Sequence, residues 1–176
     1  MRQWTFDPAH SQIQFSVKHL GISTVRGSFG RFTGEISEED GQVKGVTVDI
    51  DVASITTGVE QRDTHLRSSD FFELEKYPTA RFAMTSFERD GDEVVATGDL
   101  SLRGVTKKVT LKGEVGGPAK DPWGAERVSA DLAGKISRKE WGLTWNVALE
   151  AGGVMVSDEV KLSIAVEATL VADLVA

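Results

Sequence analysis

Apolar residues recur at every second position along most of this chain. Ile13, Phe15 and Val17 alternate with Gln12, Gln14, Ser16 and Lys18, a pattern that buries one face of a strand and wets the other. The same period returns at Val46, Val48, Ile50 and Val52, at Val94, Ala96, Gly98, Leu100 and Leu102, and at Val109, Leu111 and Val115. Val128, Ala130, Leu132 and Ile136 form a further face, and Val160, Leu162, Ile164, Val166 and Leu170 the longest. With Val25 to Ser37 and Thr79 to Arg89 added, about eight strands are predicted, separated by turn signals such as Asp40-Gly41 and Asp90-Gly91-Asp92.

One-sided alternation fits antiparallel strands, because a parallel sheet covered on both faces reads as continuous apolar runs. The connections are mostly short, which suits hairpins and a meander. The expected class is all-β, an eight-stranded antiparallel up-and-down barrel, since closure removes exposed sheet edges. One short helix is expected between early strands, over Val59 to Arg67, with Asp63 and Arg67 spaced to pair on its surface. Gly116 to Gly124, with Gly-Gly-Pro and Asp-Pro-Trp-Gly, reads as a surface loop, and Arg138 to Asp158 as a second irregular span holding Trp141 and Trp145.

Eight strands leave a bore that is either filled or holds one small ligand. The inward phase contains Gly34, Gly98, Gly113 and Gly134 together with Ala96, Ala130 and Ala168. Such small residues either leave volume open or mark bulges and corners of a curved sheet. The pattern alone leaves both readings open.

The 176 residues make one domain, 1–176. With 27 acidic against 20 basic residues the net charge is -7, which argues against a nucleic-acid partner or a broad grip on an anionic membrane. An anionic ligand must therefore meet a local basic cluster. No cysteine is present, so disulfides, thiolate metal sites and cysteine nucleophiles are excluded. No apolar run exceeds three residues, so neither a transmembrane segment nor a signal-peptide core is expected. As written the chain is expected in the cytoplasm, or in the periplasm if it is the mature form of an exported protein.

Catalytic chemistry finds little support. His10, His19 and His65 show no metal-ligand spacing, and no nucleophile elbow, phosphate loop or dinucleotide fingerprint occurs. No metal or cofactor is expected. Asp49, Asp51, Asp99 and Asp131 fall on outward phases. His19 lies in phase with Phe15 and Val17, so it points inward near a barrel opening. The densest cationic stretch, Gln61 to Ser68, carries Arg62, His65 and Arg67 and is followed by Phe71-Phe72. It suits a helix that caps a barrel mouth and holds a polar or anionic head group while the phenylalanines face the cavity. The bland alternative is a solvated helix whose phenylalanines plug the barrel.

Several stretches carry a resemblance. Asp7-Pro8-Ala9-His10-Ser11, Phe15-Ser16-Val17-Lys18-His19-Leu20-Gly21 and Val25-Arg26-Gly27-Ser28-Phe29 are similar to the opening of YceI-like proteins. So are Arg62 to Phe72, Tyr77-Pro78-Thr79-Ala80-Arg81-Phe82, Leu102-Arg103-Gly104-Val105-Thr106 and Ser137 to Leu143. The resemblance implies a lipocalin-like barrel that carries or stores a long-chain isoprenoid, of prenyl-quinone or polyprenyl-pyrophosphate type, without catalysis. On that footing Phe15, Val17, Val48, Ile50, Phe82, Met84, Leu100, Leu162 and Ile164 are expected along the chain, with Phe71, Phe72 and Trp145 near one end. His19, Arg26, Arg62, His65 and Arg67 are the polar candidates. A small enzyme using His19 or His65 as acid or base, and a filled interaction barrel, are the rivals; a homodimer is compatible with the carrier reading.

Overall fold

The computed structural model describes residues 1–173. In chain order its strands are β1 (Arg2–Phe6), β2 (Gln12–His19), β3 (Ser23–Phe29), β4 (Phe32–Glu39), β5 (Gln42–Asp51) and the two-residue β6 (Ile55–Thr56). There follow β7 (Thr79–Asp90), β8 (Glu93–Leu102), β9 (Val105–Lys120), β10 (Glu126–Ser137) and β11 (Val156–Asp173). Helix α1 (Glu60–Arg67) lies between β6 and β7.

The sheet closes through β11, giving an antiparallel ring in the order β1-β4-β5-β7-β8-β9-β10-β11. The first part of β11 pairs with β2, Leu162 lying opposite Phe15. Its last part pairs with β1, Ala168 opposite Phe6. β1 and β2 thus act as one barrel strand interrupted by the turn Pro8–His10. β3 and β4 form a second interrupted strand, broken at Gly30 and Arg31, where a single strand was expected. All-β architecture, barrel closure and the short helix follow the alternation.

Two local expectations are corrected and one open choice is narrowed. β9 continues through Gly116-Gly117-Pro118 to Lys120, where a loop was expected from Gly116. The ladder survives because a bulge between Arg127 and Ser129 of β10 absorbs the irregular backbone. The turn shrinks to residues 121–125, closed by Asp121, whose Oδ1 accepts from the Trp123 and Ala125 amides at 2.9 Å each. Second, Asp63 and Arg67 do not pair. The Asp63 carboxylate turns inward and accepts from the Thr57 amide at 2.8 Å and the Thr57 hydroxyl at 2.6 Å, pinning the chain that enters α1. Third, the inward glycines do not simply leave volume. A Cβ on Gly34 would lie 2.3 Å from the Phe6 ring and one on Gly98 2.4 Å from the Phe82 ring, while one on Gly113 would meet the Asp131 carbonyl oxygen at 1.8 Å. The first two let aromatic rings lie flat on the wall, and the third marks close approach of β9 and β10.

Candidate functional site

Despite those rings, the bore is open. A cavity of about 980 Å3 is lined by residues from both ends of the barrel, from Arg2, Glu38 and Arg89 to His19, Val59 and Met155. That is the upper end of the range for small-molecule sites and room for about thirty water-sized groups. Phe15 and Val17 of β2, Val48 and Ile50 of β5, Phe82 and Met84 of β7, Leu100 of β8, and Leu162 and Ile164 of β11 all line it. Their inward phase follows from the period-two pattern.

One end is crossed by α1 and the segment after it. His65 faces the cavity, its Nε2 2.8 Å from Asp70 Oδ2. The His65 ring is edge-on to Phe71 and Trp145, with centroids 5.1 and 4.6 Å apart. Phe72 stands edge-on to Phe29 at 6.0 Å. These packed rings brace the helical end. Arg62 also lines the cavity; its Nε donates to the Thr57 hydroxyl at 2.6 Å and its Nη2 to the Thr57 carbonyl at 2.9 Å. His19 borders the same mouth.

Arg26 and Arg67 are misplaced by the sequence reading. Arg26 is exposed on the outer face of β3, opposite Ser16, because its neighbour Val25 takes the inward phase. Arg67 turns back from the mouth, donating to the Ile55 carbonyl at 3.1 Å and lying 3.3 Å from Glu60. Neither lines the cavity.

The sequence reading also missed residues. Arg138 borders the cavity and is only 4% exposed. Its guanidinium donates to the carbonyls of Ser157 at 2.9 Å, Leu143 at 2.6 Å, Trp145 at 2.9 Å and Val156 at 3.2 Å. Burial pulls its pKa below the usual arginine value, and the charge of Asp158 opposes that. One buried cation thereby shapes the irregular span from Trp141 to Val156. Beside it Trp141, fully buried, donates from Nε1 to the Leu100 carbonyl at 2.9 Å. An arginine within a Trp-rich, non-alternating stretch was the available signal.

At the other end, where the β4–β5 and β7–β8 turns lie, the polar lining is self-paired. Trp4 Nε1 donates to Glu38 at 3.0 Å, and Arg2 lies 3.8 Å from Glu38 and 4.8 Å over the Trp4 ring. Arg2 also binds Glu126. Phe87 and Arg89 face inward because a bulge between Met84 and Ser86 shifts the phase of β7, which strict alternation cannot register.

Outside the barrel, ligand atoms of Asp7, His10 and Glu167 lie within 4.8 Å of one another. The Arg127 guanidinium already stands among them, 2.8 Å from Asp7 and 2.7 Å from Glu167, and it also binds Asp121 at 2.9 Å. This group is an ion-pair clamp with its cation supplied by the chain. The hydrogen bond from His10, then that from Arg127, holds Asp7 at a pKa of about 2.

Comparison with known proteins agrees with this architecture. Residues 4–168 match the model of the YceI-like domain. The chain belongs to the YceI-like family. It is 41% identical over 160 residues to the YceI protein of Shigella flexneri, covering 90% of this chain and 81% of that one. The YceI protein structure from Campylobacter jejuni superposes with a TM-score of 0.75 at 36% identity, over 86% of this chain and 88% of that one. A polyisoprenoid-binding domain from Saccharophagus degradans shares the YceI-like fold with a TM-score of 0.74 at 17% identity, over 96% and 98% of the two chains. No helix among the described residues is long and apolar enough to cross a membrane.

Proposed function

We propose that this YceI-like barrel binds, carries or stores a long-chain isoprenoid or a similar amphiphile in its bore, without chemistry. The observation that carries the reading is the roughly 980 Å3 cavity, walled by aliphatic and aromatic side chains and reaching from one barrel end to the other. A polyisoprenoid-binding domain among the structural neighbours supports the ligand class. Each methylene-sized group removed from water there contributes about 0.8 kcal/mol, so an extended chain can be held with few polar contacts. Phe15, Val17, Val48, Ile50, Phe82, Met84, Leu100, Leu162 and Ile164 form the chain wall, and Phe71, Phe72 and Trp145 its helical end. Arg62, His65 and His19 remain as partners for a polar head.

Mass spectrometry of an organic extract of the purified protein, followed by titration with prenyl-quinones and polyprenyl pyrophosphates, tests this. Co-purified lipid displaced by an added prenyl ligand is expected, with affinity weakened by Ala130→Trp, which fills the bore. A barrel that yields no lipid and binds neither ligand overturns the reading. His65, which lines the cavity and pairs with Asp70, favours a second reading, acid-base catalysis. It predicts turnover of the bound molecule, abolished by His65→Gln, where a carrier returns its ligand unchanged.

A further inference from the structure

The helical mouth carries an apolar rim. Among the described residues, five of the eight exposed large hydrophobics border it, namely Leu20, Ile22, Val59, Val147 and Val154, with Ile22 84% exposed. The turn carrying Leu20 and Ile22 is held to the hairpin carrying Val147 and Val154, and Val59 stands at the start of α1. The Leu20 amide donates to the Met155 carbonyl at 2.8 Å, and the Met155 amide donates to the Val147 carbonyl at 2.9 Å. Ala148 pairs with Val154 in the small hairpin that follows Trp145. Val59 and Met155 also line the cavity, so outer rim and inner wall form one apolar surface. Isolated exposed aliphatics need no explanation, but a contiguous group around an opening does.

Charge distinguishes the same end. Seven of the ten arginines lie within 4 Å of a carboxylate, from Arg2 to Arg127. Among the described residues, the three without such a partner are Arg26, Arg62 and Arg138, all in the half of the barrel nearer this mouth. Arg138 is spent on carbonyls, whereas Arg26 is exposed on the outer wall. The Lys18 ammonium, beside the rim, donates to the Thr24 hydroxyl at 2.9 Å. The exposed carboxylates of Glu150, at the tip of the small hairpin, and of Glu60, next to Val59, are local counterweights, so apolar insertion must dominate over charge.

We propose that this rim docks on a phospholipid bilayer, with Ile22, Leu20, Val147 and Val154 entering the interface and Lys18 and Arg26 facing lipid phosphates, so that the cavity opens onto the membrane. The proposal rests on the reading of a lipid cargo, because a ligand resident in a bilayer reaches an apolar bore without crossing water only if the mouth touches that bilayer. Inserted aliphatics and flanking cations are the two contributions to interfacial binding.

Vesicle flotation tests it, using phosphatidylcholine vesicles with and without phosphatidylglycerol. The wild type is expected to float with both, more with the anionic vesicles, and the difference should shrink in high salt. The double variant Ile22→Asp, Val154→Asp should lose about tenfold or more in vesicle affinity, with its thermal melt unchanged. Arg26→Glu should weaken only the anionic arm, by a few-fold. Trp123→Ser is the control: Trp123 is 87% exposed on the β9–β10 turn, away from the mouth, and its loss should change nothing. A wild type that does not float, a double variant that floats normally, or loss of flotation in Trp123→Ser overturns the proposal. So does conversion of a dimer to a monomer by the double substitution with flotation unchanged, which would make the rim a contact between copies. Neither Ile22 nor Val154 lines the cavity, so prenyl-quinone affinity of the double variant should match wild type. Absence of prenyl binding in both proteins would refute the cargo reading while flotation still decides the docking.

Discussion

The two ends of the barrel solve closure in opposite ways. At the end near the β4–β5 turn, Trp4, Arg2, Glu38 and Glu126 satisfy one another, and regular hairpins seal the sheet. At the helical end, closure falls to non-repeating chain: α1, the span to Tyr77, and the stretch from Trp141 to Val156, organised by Arg138 donating to backbone carbonyls. Paired charges make a plug that has little left to offer a partner. A cation satisfied by carbonyls, packed rings and exposed aliphatics leave an apolar rim.

The largest expected effect tests whether the helical end is as firmly built as the other. Trp141 and Trp4 are both nearly inaccessible, at 0% and 2% exposure. Trp141→Ala and Trp4→Ala should each destabilise the barrel by about 3 to 5 kcal/mol in urea titrations, the usual range for removing a buried tryptophan. A loss below about 1 kcal/mol for Trp141→Ala would show that the helical end is loosely held. Next comes Arg138→Met, which strips the carbonyls of Leu143, Trp145, Val156 and Ser157 of their shared donor. It should cost about 1.5 to 3 kcal/mol, and amide exchange should accelerate mainly between residues 141 and 157. Uniform acceleration around the barrel would deny that Arg138 organises this end in particular.

The difference between the ends also explains what sequence could and could not show. Wall residues such as Val48, Ile50, Leu162 and Ile164 were legible because a strand's period of two is fixed by the backbone. Phe87 and Arg89 were hidden by one bulge, which inverts the phase of everything after it. Arg26 and Arg67 are mouth candidates on the family resemblance and, for Arg67, on the cationic helix; β3 alternation puts the first outside, and the carbonyl of Ile55 draws the second away. Arg138 escaped because its partners are backbone carbonyls, and any sequence supplies those. β1 was overlooked because two apolar residues, Trp4 and Phe6, make too short a period to recognise before pairing with β4 and β11 is seen.

A smaller effect concerns the wall between the ends. A methyl group on Gly98 would lie 2.4 Å from the Phe82 ring and 2.7 Å from the Ala83 carbonyl oxygen. The ring can swing into the bore, but the carbonyl belongs to the paired strand and cannot. Gly98→Ala should therefore destabilise by about 1 to 3 kcal/mol and narrow the cavity as Phe82 turns inward, with weaker prenyl-quinone binding. Ala130→Trp, by contrast, should weaken binding with less loss of stability. Equal stability losses for the two variants would mean that the bore is packed and that both ends close a solid core.

The smallest effect lies outside both ends, in the clamp formed by Asp7, His10, Arg127 and Glu167 at the β1–β2 junction. The hydrogen bond to Asp7, followed by the charge of Glu167, raises the pKa of His10 above its ordinary value near 6.5, with Arg127 opposing. A raised folded-state pKa means that the stabilising contribution is fully present below about pH 6.5 and is lost as pH climbs through the folded value. Asp7 works in the other direction: held at about 2, it contributes above its ordinary 3.8 and loses that contribution as pH falls toward 2. The clamp is therefore strongest between about pH 4 and 6.5. His10 is well exposed, so the gain is small. A melting temperature that declines slightly from pH 6 to above pH 8 is expected in the wild type, with a flatter profile in His10→Gln. Ligand affinity should not change in that variant, because His10 does not line the cavity. A parallel pH profile in both proteins would show that solvent screens the clamp completely, and altered ligand binding would show that the strand junction is coupled to the bore.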